Sequence, residues 1–421
     1  MKKVLLGTLA VLTLAACSKD EVIQQNPNDE ISFSVTTNKA ISRAANGFCN
    51  NHTPKRFVVS ASYTKGGSTT QYFLNDRFIK NGSAENGKEY NAFKTYRYWP
   101  DLTGGASMTF YAATDGTKEI VEDSWDTEPV SVLPSWTKDG SDNLTGMKIL
   151  NYKVEDAVAD QKDLLYAVQE ANPTGGVQNI NFRHALSQIE FAAINENTKI
   201  HVEICGVSIV NVKNKGDFTF PASTSDKIGV HNGNAGYPDP ATDKVGTWDV
   251  SSDAAAIKTY ATNTLTPNAV VKVGASSTPL TITDPSEQEW NTNTMYLIPQ
   301  TLTPWDRSGN AVDESEKSYF LVKAKIWNIA GASFDKDNDV LLWGTGASES
   351  AEGAKDIAIP TDAADWKPGK RYVYTFKFTK TGEGGANPDD NTDVLVPIKL
   401  TVTVDDFVDG GTVPDIEMKK P

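Results

Sequence analysis

The sequence predicts an all-β protein. Short apolar runs alternate with period two, turn residues recur between them, and no stretch of a dozen residues carries a helical stripe. The first strand is Ile31, Phe33 and Val35 alternating with Ser32, Ser34 and Thr36, the pattern of a chain with one buried face. Similar runs follow at Arg56 to Tyr63, Ser107 to Ala112, Leu164 to Val168, Ile189 to Ala193 and His201 to Val212. Later ones are Val270 to Val273, Met295 to Pro299, Tyr319 to Trp327, Tyr372 to Phe378 and Val396 to Phe407. Turn clusters separate them: Asn81-Gly82-Ser83, Thr103-Gly104-Gly105, Asn172-Pro173-Thr174-Gly175-Gly176 and His231-Asn232-Gly233-Asn234. The one helical hint is a turn or two near Ala351 to Asp356. Short strands between such turns predict β-sandwiches, and no repeat with a period of roughly 20–50 residues points to a propeller or solenoid.

A chain of 421 residues has room for two or three domains. The turn at 172–176 is the natural boundary, giving one sandwich over residues 30–182 and a second, with longer loops, over 183–421. Residues Lys380 to Asn391, with Gly382, Gly384, Gly385 and Pro388, read as a long loop before the last strand. Hydrophobic residues at 39% and aromatics at 9% suffice for real cores. A formal net charge of -14 argues against a nucleic-acid partner, whose phosphates call for Lys and Arg.

The N-terminus reads as a lipoprotein leader. Lys2 and Lys3 precede an apolar run from Val4 to Leu14, shorter than the roughly 20 residues needed to span a bilayer. Leu14-Ala15-Ala16-Cys17 resembles a lipobox, so residues 1–16 are expected to be removed and the Cys17 thiol to carry outer-membrane lipid. Two or more acyl chains anchor stably where one is marginal. Ser18-Lys19-Asp20-Glu21 resembles the surface-export signal of Bacteroidetes lipoproteins, and residues 17–29 form a polar tether.

No catalytic, metal or cofactor signature emerges. Asp335-Lys336-Asp337-Asn338-Asp339 alternates like a calcium loop, but Val340 and Gly346 stand where such a loop needs glycine and glutamate, so a solvated turn is expected. His184 and Ser187 lack a nucleophile elbow, and His184 between Phe182 and Leu186 reads as a packed or hydrogen-bonded histidine. Acidic pairs such as Asp405-Asp406 arise by chance among 54 acids. The four histidines and three cysteines form no metal cluster, and Cys49 and Cys205 either pair or remain buried thiols. Tyr96, Tyr98 and Trp99 form the densest aromatic group, read mainly as core.

Several segments in order resemble the fimbrillin family of Bacteroidetes pilins. They are Tyr96-Arg97-Tyr98-Trp99-Pro100, Phe182-Arg183-His184-Ala185-Leu186-Ser187-Gln188-Ile189, Met295-Tyr296-Leu297-Ile298-Pro299-Gln300, Trp366-Lys367-Pro368-Gly369-Lys370-Arg371-Tyr372 and Val404-Asp405-Asp406-Phe407. The resemblance implies two transthyretin-like β-sandwiches with Greek-key connections, in a structural or adhesive subunit of a surface fimbrium. It also implies assembly with other pilin subunits by donor-strand exchange, and contact with a host or bacterial receptor. In that scheme a protease cuts after an arginine beyond the first strand. Arg43-Ala44 is the matching bond, with Lys39 and Arg56 as alternatives, and Ile31, Phe33 and Val35 form the plug that leaves. Ile398, Leu400, Val402 and Val404, alternating with Lys399, Thr401, Thr403 and Asp405, are the donor strand, or else complete their own domain. The competing reading is a monomeric surface lipoprotein that holds glycans on exposed aromatic rings.

Overall fold

The computed structural model describes residues 30–37, 54, 56–85, 88–93, 95–115, 132–171, 176–222, 228–231, 234–238, 245–262, 270–280, 294–306, 316–381 and 384–406. Within them the fold is all-β, with only two short 3-10 turns, at Val158–Asp160 and Ala254–Ala256. No helix of the described residues is long and apolar enough to cross a membrane.

The first sheet is built from β1 (Phe33–Thr37), β2 (Arg56–Lys65), β3 (Ser68–Glu85), β4 (Lys88–Ala92) and β5 (Ser107–Thr114), with β8 (Leu165–Glu170) and β9 (Gln178–His184). Between β5 and β8 the chain makes a hairpin of β6 (Ser135–Lys138) and β7 (Leu144–Lys153). β2 and β3 join through Gly66 and Gly67, both at positive φ, the conformation a tight two-residue hairpin demands. The expectation for this region was two facing sheets. Instead a single sheet runs β1-β4-β3-β2-β5-β8-β9 and closes on itself as a barrel. Closure follows from β1, which pairs in parallel with β9 from Phe33↔Gln178 to Thr37↔Phe182, and meets β4 at Phe33↔Tyr90. A closed sheet has no free edge.

Alternate residues of three barrel strands serve two cores. Phe57, Val59 and Ala61 of β2, Met108, Phe110 and Ala112 of β5, and Leu165 and Ala167 of β8 face the barrel interior. Val58, Ala113, Tyr166 and Val168 turn outward into the larger core shared with the C-terminal strands. Burial on both faces explains why these strands read as near-continuous apolar runs.

The sheets change over between His184 and Ser187. β10 (Ser187–Asn195) opens the second sheet, followed by β11 (Ile200–Lys213), β12 (Lys215–Thr219), the hairpin β13 (Ile228–His231) and β14 (Asn234–Pro238), β15 (Thr247–Val250), β16 (Ile257–Ala261), β17 (Val271–Lys272), β18 (Thr278–Pro279) and β19 (Met295–Leu297). Then come β20 (Tyr319–Asn328), β21 (Val340–Trp343), β22 (Lys355–Pro360), β23 (Lys370–Phe378), β24 (Gly384–Ala386) and β25 (Asp393–Asp406). Their main order is β16-β11-β20-β22-β24-β25-β23-β10-β18. β25 turns the corner: Asp393 and Pro397 pair with β24, whereas Ile398 to Asp406 pair with β23. The two limbs fold face to face, so Phe191 of β10 meets Phe320 of β20 edge-on at 5.7 Å, and Tyr374 of β23 lies 4.8 Å from Phe320. A third sheet, β15-β12-β7-β6, joins a hairpin from the first half of the chain to strands from the second.

Candidate functional site

β1 is short, and the apolar residues at its start are buried. Ile31 and Phe33 are fully buried and Val35 nearly so, all three in the barrel core. Phe33 stands edge-on to three rings, Phe78 at 4.7 Å, Phe110 at 5.2 Å and Phe57 at 6.0 Å. Those rings are fixed by others: Tyr90 and Phe182 hold Phe57, and Trp99 holds Phe110. The Tyr90 hydroxyl donates to the Pro54 carbonyl at 2.6 Å, closing the box from the far side. Burying three such side chains contributes about 5–9 kcal/mol, and each edge-on aromatic pair about 0.5–1.5 kcal/mol more.

Backbone bonds fix the start of the strand. Ile31 N donates to Arg97 O at 2.7 Å, Gln178 N donates to Ser32 O at 2.9 Å, and Glu30 bridges to Tyr98. The 95–103 segment is itself pinned to β3, because the Tyr72 hydroxyl donates to Tyr98 O at 2.7 Å and Arg97 Nε donates to Asp76 Oδ2 at 2.5 Å. Trp99 is core, as expected. Tyr96 and Tyr98 are not; they are 60% and 51% exposed, because alternate residues of this segment point away from the barrel.

The other expected sites fall in different places. Cys17, Arg43, Ala44 and Cys49 lie outside the described residues. Ile398, Leu400, Val402 and Val404 sit on one face of β25, Ile398 and Val402 buried and the other two packed against the same core. In this chain β25 pairs with β23 from Lys370↔Asp406 to Phe378↔Ile398. His184 shares a hydrogen bond with Asp163 at 2.5 Å, while the Ser187 hydroxyl donates to Lys367 O, so the two do not form a pair. Asp335 and Asp339 spend their carboxylates on the backbone of their own turn, accepting from Asp337 N and from Ala330 N and Asp335 N. Cys205 is a buried free thiol at the bulge where β11 slips against β20, and burial raises its pKa. Among the described residues no three metal-ligating side chains converge.

The segments that carried the resemblance are joints. Gln300 clamps Lys213, accepting from its N–H at 2.8 Å and donating to its carbonyl at 2.9 Å. Arg371 pairs with Glu190 at 2.9 Å across β23 and β10. Trp366 Nε1 donates to the buried Tyr374 hydroxyl, and burial pushes the neighbouring Tyr372 phenol up to about 12.

A family profile described as fimbrillin-like matches residues 42–406. The chain belongs to the fimbrillin-like family. It is thereby a fimbrial or adhesion subunit of the cell surface, in a family of structural proteins rather than enzymes. The match begins at Ser42, so β1 lies upstream of it. This fimbrillin-like chain is similar in structure to a fimbrial protein from Bacteroides vulgatus, with 14% identity, a TM-score of 0.47, and coverage of 90% of this chain and 99% of the other. It is also similar to a putative cell adhesion protein from Parabacteroides distasonis, at 10% identity, a TM-score of 0.40, and coverage of 90% and 98%. No curated protein matches the sequence.

Sequence reasoning found β1 but missed Phe57, Phe78 and Phe110, which make its pocket. Each was visible as an apolar residue, but their convergence depends on which strands pair.

Proposed function

We propose that this fimbrillin-like chain is made as a lipoprotein held in the outer membrane through Cys17. In this reading it matures by cleavage at Arg43-Ala44 and joins other pilin subunits by strand exchange into the groove that β1 leaves. The observation that supports this best is the position of β1. It is the closing strand of the barrel and supplies a central core residue, yet it is separate in sequence from every other barrel strand. While β1 is covalently attached, its high effective concentration keeps the groove filled. After cleavage it dissociates by dilution, exposing the edges of β4 and β9 and a ring-lined slot, which invite an extended strand from a neighbour. Arg56, the alternative cleavage point downstream, is 2% exposed at the start of β2, a poor position for a protease to reach.

Limited trypsin treatment of the purified precursor should remove everything before Ala44. Oligomer ladders should then appear on unboiled gels and collapse on boiling. Strictly monomeric material after complete cleavage would sink the reading. Exposed Tyr96 and Tyr98 favour a second role, glycan contact by the assembled or free subunit. A glycan array probed with the uncut monomer and with a Tyr96→Ala/Tyr98→Ala variant tests it.

A further inference from the structure

We propose that the Phe33 pocket is a specificity gate: the groove takes a strand with an aromatic residue at its central inward position and discriminates against this chain's own Ile398–Val402 segment. The inference rests on the reading that β1 leaves. Two independent observations carry it.

The first is the shape and stiffness of the pocket. Its walls come from three strands, Phe57 on β2, Phe78 on β3 and Phe110 on β5, and all three side chains are at most 1% exposed. Tyr90, Phe182, Trp99 and Phe73 pack behind them, so the walls cannot collapse to suit a smaller guest. All three contacts to Phe33 are edge-to-face, an attraction between ring edge and ring face that an aliphatic side chain cannot reproduce.

The second is a near-repeat within the chain. Ile398-Lys399-Leu400-Thr401-Val402 has the apolar pattern of Ile31-Ser32-Phe33-Ser34-Val35, with leucine where the plug has phenylalanine. The flanking residues, Ile and Val, are identical, so the central residue alone separates the two strands on the inward face. That segment of β25 is also already paired with β23, Ile398 opposite Phe378 and Val402 opposite Tyr374. A copy of this chain would offer its neighbour a strand that lacks the ring and must first leave its own sheet. The favoured guest is a strand of another subunit with an aromatic residue flanked by aliphatic ones; copies of this chain remain donors about tenfold weaker, so they form ladders only where the cut chain is concentrated.

The test uses the full chain cut at Arg43 and four labelled synthetic peptides: residues 29–37, the same with Phe33→Leu, residues 396–404, and the same with Leu400→Phe. Binding is read by fluorescence anisotropy. The 29–37 peptide is expected to bind, and its Phe33→Leu form about tenfold or more weakly. The 396–404 peptide is expected to bind poorly, and Leu400→Phe to recover about tenfold. Equal binding by 396–404 and 29–37, or no gain from Leu400→Phe, overturns the gate while leaving the removable plug intact. If no peptide binds and β1 stays with the cut chain, the plug reading itself fails, and the gate with it.

Discussion

β1 and β25 are the first and last described strands, and both bury alternate apolar residues, yet they are held in opposite ways. β1 contributes five residues, pairs in parallel with β9, and touches its other neighbour at Phe33↔Tyr90 alone. β25 contributes 14 residues, pairs antiparallel with β23 and β24, and links both limbs of its sheet. β1 is thus a filler of one cavity, whereas β25 is part of the frame. A strand suited to leave is one whose stability comes from a few side chains in a preformed slot; a strand that ties together the limbs of its own sheet is not.

The largest test strikes the frame. Ile398→Asp with Val402→Asp puts two carboxylates in the C-terminal core, a cost above about 5 kcal/mol and comparable to the whole stability of a domain. Soluble protein with native circular dichroism should disappear. Phe33→Ala comes next. In the uncut precursor it should lower unfolding stability by about 3–5 kcal/mol in denaturant titrations. Once β1 has been cut away and removed, the variant and parent should coincide; a persistent difference would place Phe33 in the frame after all. A disulfide between Ser34→Cys and Asn179→Cys, which face each other across the parallel pair, should hold β1 in place after cleavage. The oxidised protein should stay monomeric, and reduction should release ladder formation.

How legible these two strands were differs as well. The alternation at Ile31 to Val35 and at Ile398 to Val404 was plain, as were β2, β5, β8, β11, β20 and β23, because burial writes a local apolar pattern. β3 was not: Asn81-Gly82-Ser83 reads as a turn, but the strand runs on through a register shift after Lys80 to Glu85, which pairs with Lys88 of β4. β6, β7 and β12 were missed because they bury few side chains, Met147 and Ile149 of β7 and Phe218 of β12, among half-exposed neighbours. Nothing near Phe33 announces that its partner strand begins at Gln178. Which strands pair is a property of the whole chain, and barrel closure and the ring pocket depend on it.

Two smaller effects separate surface from frame. Tyr96→Ala with Tyr98→Ala should shift stability by less than about 0.5 kcal/mol and leave ladders unchanged, since neither side chain is in a core. Acidification should loosen the 335–339 turn. The Asp335 carboxyl is held below its usual range by the Asn338 side chain and the Asp337 N–H. A depressed carboxyl stabilises above its unfolded pKa of about 4 and loses that contribution as pH falls further, so amide exchange at Asp337 should quicken in acid.

The corner in β25 has a mechanical meaning. A subunit in a surface fibre carries tension, and a pull along this strand would strain its hydrogen bonds to β23 together, in shear, instead of opening them one at a time like a zip. Because the same strand also grips β24, traction at its end spreads into both limbs of the sandwich.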